Sequence, residues 1–122
     1  MQSSTFTYKD HSGINIFARK WIPEKKDDIK GVVQISHGMM EHSGYYKPVG
    51  EILTQSGYIC FAEDHRGHGH TAKNMDYFGD LGDEGWRGAV KSIYDLSELI
   101  KKEFPDLPLF LLGHSWGSFL LH

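Results

Sequence analysis

Apolar and polar residues alternate at the start of the chain. Phe6 and Tyr8 stand between polar neighbours, and Ile14, Ile16 and Ala18 repeat the pattern beyond Asp10-His11-Ser12-Gly13. A period of two belongs to a strand with one buried face. The pattern predicts two strands, about 4–9 and 14–21, joined through the turn residues as an antiparallel hairpin. The charged stretch PEKKDDIK that follows reads as a solvated loop.

From residue 31 the period changes. GVVQISHG, GYICFAED and LFLLGHS are short apolar runs, the first ending in glycine and the second in acid. Between them lie two helical patterns. One, about 44–56, carries Tyr46, Val49, Ile52 and Leu53. The other, about 83–104, carries Trp86, Val90, Ile93, Leu96, Ile100 and Phe104 in steps of three or four, and Pro105 and Pro108 end it. Continuous apolar strands separated by amphipathic helices predict an α/β fold, a mostly parallel sheet with helices on both faces and the hairpin at one edge. Ligands of such sheets bind beyond the carboxyl ends of the strands. The three distinctive loops, 37–43, 64–71 and 113–117, fall there.

Composition narrows the partners. The chain has 122 residues, 39% apolar and 24% charged, a globular balance sufficient for one core. A net charge of −3 with no basic run excludes a dedicated nucleic-acid surface. The polar N-terminus lacks the apolar centre of a secretory signal, and no apolar stretch approaches the roughly 20 residues that span a bilayer. The single cysteine, Cys60, lies inside YICFA and reads as a buried structural thiol. These features point to the cytoplasm.

The third apolar run leads directly into Gly113-His114-Ser115-Trp116-Gly117. Gly-x-Ser-x-Gly after a strand is the signature of a sharp strand-to-helix turn, which lifts the serine hydroxyl above the sheet. Glycines two residues to either side allow strand and helix to approach. The first amides of the next helix are left aimed at developing negative charge. Ser115 is therefore the candidate nucleophile, supported by Gly113 and Gly117. A chance match is the competing reading, and the buried strand directly before the motif argues against it. His37 and Gly38 end the first apolar run, where a second oxyanion donor is needed. The backbone amides of Met39 and Trp116 are the candidate donors.

HGMMEHSGYY, EDHRGHGHT and GHSWGS, in this order and spacing, resemble the monoglyceride lipase and lysophospholipase group of α/β-hydrolases, within the serine aminopeptidase-like superfamily. The resemblance runs from about residue 12 to 122. It implies an eight-stranded, mostly parallel sheet with strand order 1-2-4-3-5-6-7-8, a cap domain and a Ser–Asp–His triad that needs no cofactor. The implied substrate is a small acyl ester such as a monoacylglycerol or lysophospholipid, and the cap leaves room for peripheral membrane contact. Ser115 matches the family's nucleophile, and Met39 and Trp116 match its oxyanion amides. Glu41-His42-Ser43 and Arg66-Gly67-His68-Gly69 match positions that shape the site. Trp116 and Thr71 depart from the methionine and serine common there. The amide of residue 116 survives any side chain, while the indole bears on acyl-chain length.

The fold's catalytic order is serine, acid, histidine. Both later members are expected beyond residue 122, with the last strands and the cap, so residues 1–122 read as the N-terminal part of a single α/β-hydrolase domain. His122 lies seven residues past Ser115, roughly 10 Å along a helix, too far to be its base. His65, His68 and His70 could be read as zinc ligands. The glycines between them and the match to a structural loop favour no metal. Two alternatives to an esterase remain: an inactive or truncated chain, and an acyltransferase or aminopeptidase of the same superfamily.

Overall fold

The computed structural model describes residues 1–25, 27–37, 42–64 and 85–113, except for the side chains of 85–89. The hairpin forms first, as β1 (Gln2–Lys9) and β2 (Asn15–Ile22), paired antiparallel from Gln2 opposite Ile22 to Lys9 opposite Asn15. Its turn is built by Asp10, whose Oδ1 accepts from the amides of Ser12 (2.9 Å) and Ile14 (3.0 Å). Then come β3 (Gly31–Ser36), a 3₁₀ turn (Ser43–Tyr46), α1 (Lys47–Gln55), β4 (Tyr58–Glu63), α2 (Gly85–Glu103) and β5 (Leu109–Gly113). The sheet order is β1-β2-β4-β3-β5. The pairs β3–β4 and β3–β5 are parallel, whereas β2 meets β4 antiparallel. The described strands follow the order that the family resemblance implies.

The helices cover opposite faces because alternate residues of the central strands point opposite ways. Val33, Ile35, Cys60, Ala62 and Trp21 form one core, against which Tyr46, Val49 and Leu53 of the α1 region pack. Val32, Ile59 and Phe61 form the other with Leu96 and Ile100 of α2. Gly50 lets α1 sit directly on the Trp21 indole, since a Cβ there would lie 2.8 Å from a ring carbon. One expectation changes. Ile52, expected on the buried face of α1, is 65% exposed and turns to solvent. The apolar β5 has Phe110, Leu111 and Leu112 at 51%, 50% and 42% exposure. It is the outer strand of the described sheet, so only β3 flanks it.

Polar groups on the α2 face lock the hairpin to the helix. Gln34, buried in β3, donates to the Ile93 carbonyl (3.0 Å) and accepts from Ser97 Oγ. Ser92 Oγ donates to Asp10, and Lys20 pairs with Glu103 while lying over the Phe61 and Phe104 rings. Tyr8 Oη donates toward two acceptors, Glu63 Oε2 at 2.5 Å and the Ser92 carbonyl at 3.0 Å. A phenol has one hydrogen. Tyr8 shares that hydrogen between the two, with the shorter contact to Glu63. Burial pushes the Glu63 carboxyl up to about 8. The Tyr8 hydrogen bond opposes that rise, and the negative charges of Asp10, Asp64 and Asp95 add to it. The same burial, then the nearness of Glu63, raises the Tyr8 phenol.

Candidate active site

The site's frame is the carboxyl end of β3 and β5. These neighbours run parallel with Ser36 opposite Gly113, so both strands end at one level. Parallel strands lie about 4.8 Å apart. His37 follows β3 at this level, and β5 ends beside it at Gly113. His37 is fully buried at this point, and Gly113 closes β5. Gly38, Met39, Ser115, Trp116 and Gly117 lie outside the described residues, as do Glu41, the Arg66–Gly69 stretch, Thr71 and the His65, His68 and His70 cluster.

The far end of the 37–43 loop is fixed from below. Ser43 is fully buried, and its amide and hydroxyl both donate to Asp64 Oδ1, at 2.7 and 2.6 Å. Ser43 Oγ also accepts from Arg19 Nε at 3.0 Å. Arg19 comes from the hairpin and Asp64 from the residue after β4, so three separate segments meet under one loop end. The Asp64 amide donates to the Phe17 carbonyl (2.8 Å), which extends the β2–β4 ladder to hold the acid in place. A side chain at Gly44 would collide with the His42 ring and approach Arg19 to 3.3 Å. The glycine keeps this junction closed.

His42 is occupied locally. Its Nδ1 accepts from the Gly44 amide at 3.0 Å, capping the 3₁₀ turn, and its ring stacks on Tyr45 at 4.3 Å. Sequence reasoning passed over His11, which the structure pairs with Asp95 through both its backbone amide (2.9 Å) and Nδ1 (3.0 Å). A His–Asp pair has the composition of a catalytic dyad. Its place in the fold assigns it another role. His11 sits in the turn after β1, and β1 is four positions from β5 in the sheet order, about 19 Å at the usual spacing, so the pair fastens the hairpin to α2.

Asp64 and Arg19 were also missed. The one signal for Asp64 was an apolar run ending in acid. Burial pushes the Cys60 thiol up to about 12, as befits a packing residue with little thiolate. Among the described residues no helix is long and apolar enough to cross a membrane.

Residues 27–121 match the family model described as serine aminopeptidase, S33. The chain is 33% identical over 106 residues to monoglyceride lipase of Mus musculus, covering 87% of this chain and 33% of that protein. It is 33% identical over 117 residues to monoacylglycerol lipase of Mycolicibacterium smegmatis, covering 92% of this chain and 39% of that one. A thermostable carboxyl esterase from Bacillus coagulans, solved with glycerol, matches with a TM-score of 0.87 at 33% identity over 98% of this chain and 38% of its own. An epoxide hydrolase from Vigna radiata, at 21% identity and a TM-score of 0.74 over 97% of this chain and 33% of its own, shares the α/β-hydrolase fold alone. The chain spans about a third of the length of the curated relatives it matches.

Proposed function

Because the chain belongs to the serine aminopeptidase S33 family of α/β-hydrolases, we propose that it carries the nucleophile-bearing half of a site that hydrolyses carboxylic esters of small lipids. In this reading residues 1–122 are the N-terminal portion of one hydrolase domain. The observation that carries the proposal is the pairing of Ser36 with Gly113. It starts the His37-Gly38-Met39 and His114-Ser115-Trp116 segments from adjacent strands at the end of the sheet where such folds bind ligands.

Ser115 Oγ attacks the ester carbonyl, and the oxyanion that forms is held by the amides of Met39 and Trp116. Donors of this kind are each worth about 3–4 kcal/mol. Gly113 and Gly117 permit the sharp turn, and His37 and Gly38 bring the second donor into range. The base is a histidine oriented by a carboxylate, both following Ser115 in the chain order of the fold. The alcohol leaves with the proton taken from Ser115. Water then attacks the acyl-enzyme, giving a proton to the histidine, which passes that proton to Ser115 Oγ as the acid is released. Relatives named as monoglyceride and monoacylglycerol lipases support a monoacylglycerol or a similar lipid as the substrate.

The family description also fits aminopeptidase chemistry, and one experiment separates the two. The protein expressed from its complete reading frame is assayed with 2-monooleoylglycerol and with an aminoacyl 4-nitroanilide. Glycerol release that is lost in Ser115→Ala, with no anilide cleavage, is the expected result. Anilide cleavage without ester hydrolysis would replace the esterase reading with a peptidase one.

A further inference from the structure

We propose that Asp64 is a positioning residue for the oxyanion loop, acting through Ser43 and assisted by Arg19. The inference rests on the assignment of Ser115 and the Met39 amide above. It adds the device that holds that amide in register.

The loop from His37 to Ser43 has two buried ends. His37 is fixed by continuing β3 into the core. Ser43 belongs to no strand, and the contacts that hold it are polar. Asp64 Oδ1 accepts both of its donors, the amide and the hydroxyl, while Arg19 Nε donates to the same hydroxyl. The result is a directed chain, Arg19 to Ser43 to Asp64, in which each bond polarises the next. Every atom in it is buried or partly buried, where an unmade hydrogen bond is costly. Asp64 follows β4 directly, and β4 pairs with β3, so the acid is referenced to the strand that launches the loop. Met39 is four residues from Ser43 and two from His37. The proposed donor lies between these two anchors in the sequence, so the role assigned to Asp64 is to fix one end of its segment. A misplacement of about 1 Å in such a group costs on the order of 10²-fold in rate.

The assignment separates turnover from binding. Only the transition state carries the oxyanion, so loosening the loop lowers kcat and leaves KM nearly unchanged. The test compares wild type, Asp64→Asn, Ser43→Ala and Asp64→Ala in the protein expressed from its complete reading frame. It measures kcat and KM for 4-nitrophenyl butyrate, inhibition by an alkyl trifluoromethyl ketone (which binds as an oxyanion adduct) and melting temperature. Asp64→Asn keeps an acceptor oxygen at Oδ1 and should hold kcat within about 3-fold. Ser43→Ala, which keeps the amide bond only, should lose about 3- to 10-fold. Asp64→Ala should lose about 10- to 100-fold, with ketone affinity falling in parallel with kcat/KM.

Unchanged kcat in a folded Asp64→Ala, or a loss confined to KM, would overturn the positioning role. Should Asp64→Ala fail to fold, Ser43→Ala decides. A kcat equal to wild type overturns the role, and a drop with parallel loss of ketone affinity supports it. Ser115→Ala with wild-type turnover would instead overturn the nucleophile assignment on which this role depends.

Discussion

Glu63 and Asp64 are consecutive, both acidic and almost fully buried at 1% and 0% exposure, yet they face opposite sides of the sheet. Glu63 points to α2 and joins Tyr8 and the Ser92 carbonyl, a cluster that ties the hairpin to the helix. Asp64 turns to the α1 side and takes both donors of Ser43 at the end of the candidate oxyanion loop. One acid is held neutral by its surroundings and serves the scaffold. The other accepts from the backbone and hydroxyl of Ser43 and, under the proposal above, serves the site. A single step along the strand separates the two environments, because consecutive side chains point to opposite faces of the sheet.

That division can be broken experimentally. The largest effect is expected on the site side, within the same loop. Met39→Pro removes the amide donor and should lower kcat by about 10²-fold or more, whereas Met39→Ala keeps the amide and should change it little. Steady-state kinetics on folded protein decide this, and equal mild effects would remove the loop from the oxyanion hole.

The scaffold side should respond to pH. The folded Glu63 carboxyl is raised from 4.5 to about 8, so the unfolded chain releases its proton first. Its contribution to stability is full below about pH 4.5. It declines as pH rises toward and through 8, with a slope of at most about 1.4 kcal/mol per pH unit. Urea unfolding at pH 5 and pH 9 should show this decline in wild type and its removal in Glu63→Gln, which stays neutral. An identical pH dependence in both proteins would contradict a protonated Glu63.

Tyr8→Phe should be milder, costing about 1–3 kcal/mol through the lost bonds to Glu63 and Ser92. Its kcat should match wild type. A loss of turnover without a loss of stability would mean the two sides are coupled. Ile52→Gln, on the exposed face of α1, is the smallest, within about 0.5 kcal/mol by denaturant midpoint.

The elements were legible because burial repeats with their period. Strands and helices fall within two or three residues of the expected bounds, and the hairpin, both α-helices and the parallel central strands are all present. Ile52 misled because an apolar residue at a helical interval need not face the core. Nothing else pins the rotation of a nine-residue helix until Gly50 is seated on Trp21. The candidates Ser115, Met39 and Trp116 lie outside the described residues and rest on short motifs, whose spacing local backbone geometry dictates. The residues that hold the loop were not legible. Arg19, Ser43 and Asp64 are separated by 21 to 45 positions and meet only through the β2-β4-β3 order. His11 and Asp95 are 84 residues apart and meet only when the hairpin docks on α2. Contacts of that kind have no period and no short motif.

The central claim, that Ser115 is an activated nucleophile, has a direct measurement. The protein expressed from its complete reading frame is treated with a fluorophosphonate, digested and mapped by mass spectrometry. The account predicts one stoichiometric adduct, on the peptide containing Ser115, with hydrolysis lost in step with labelling. An adduct on another residue, or none on folded and active protein, would contradict it.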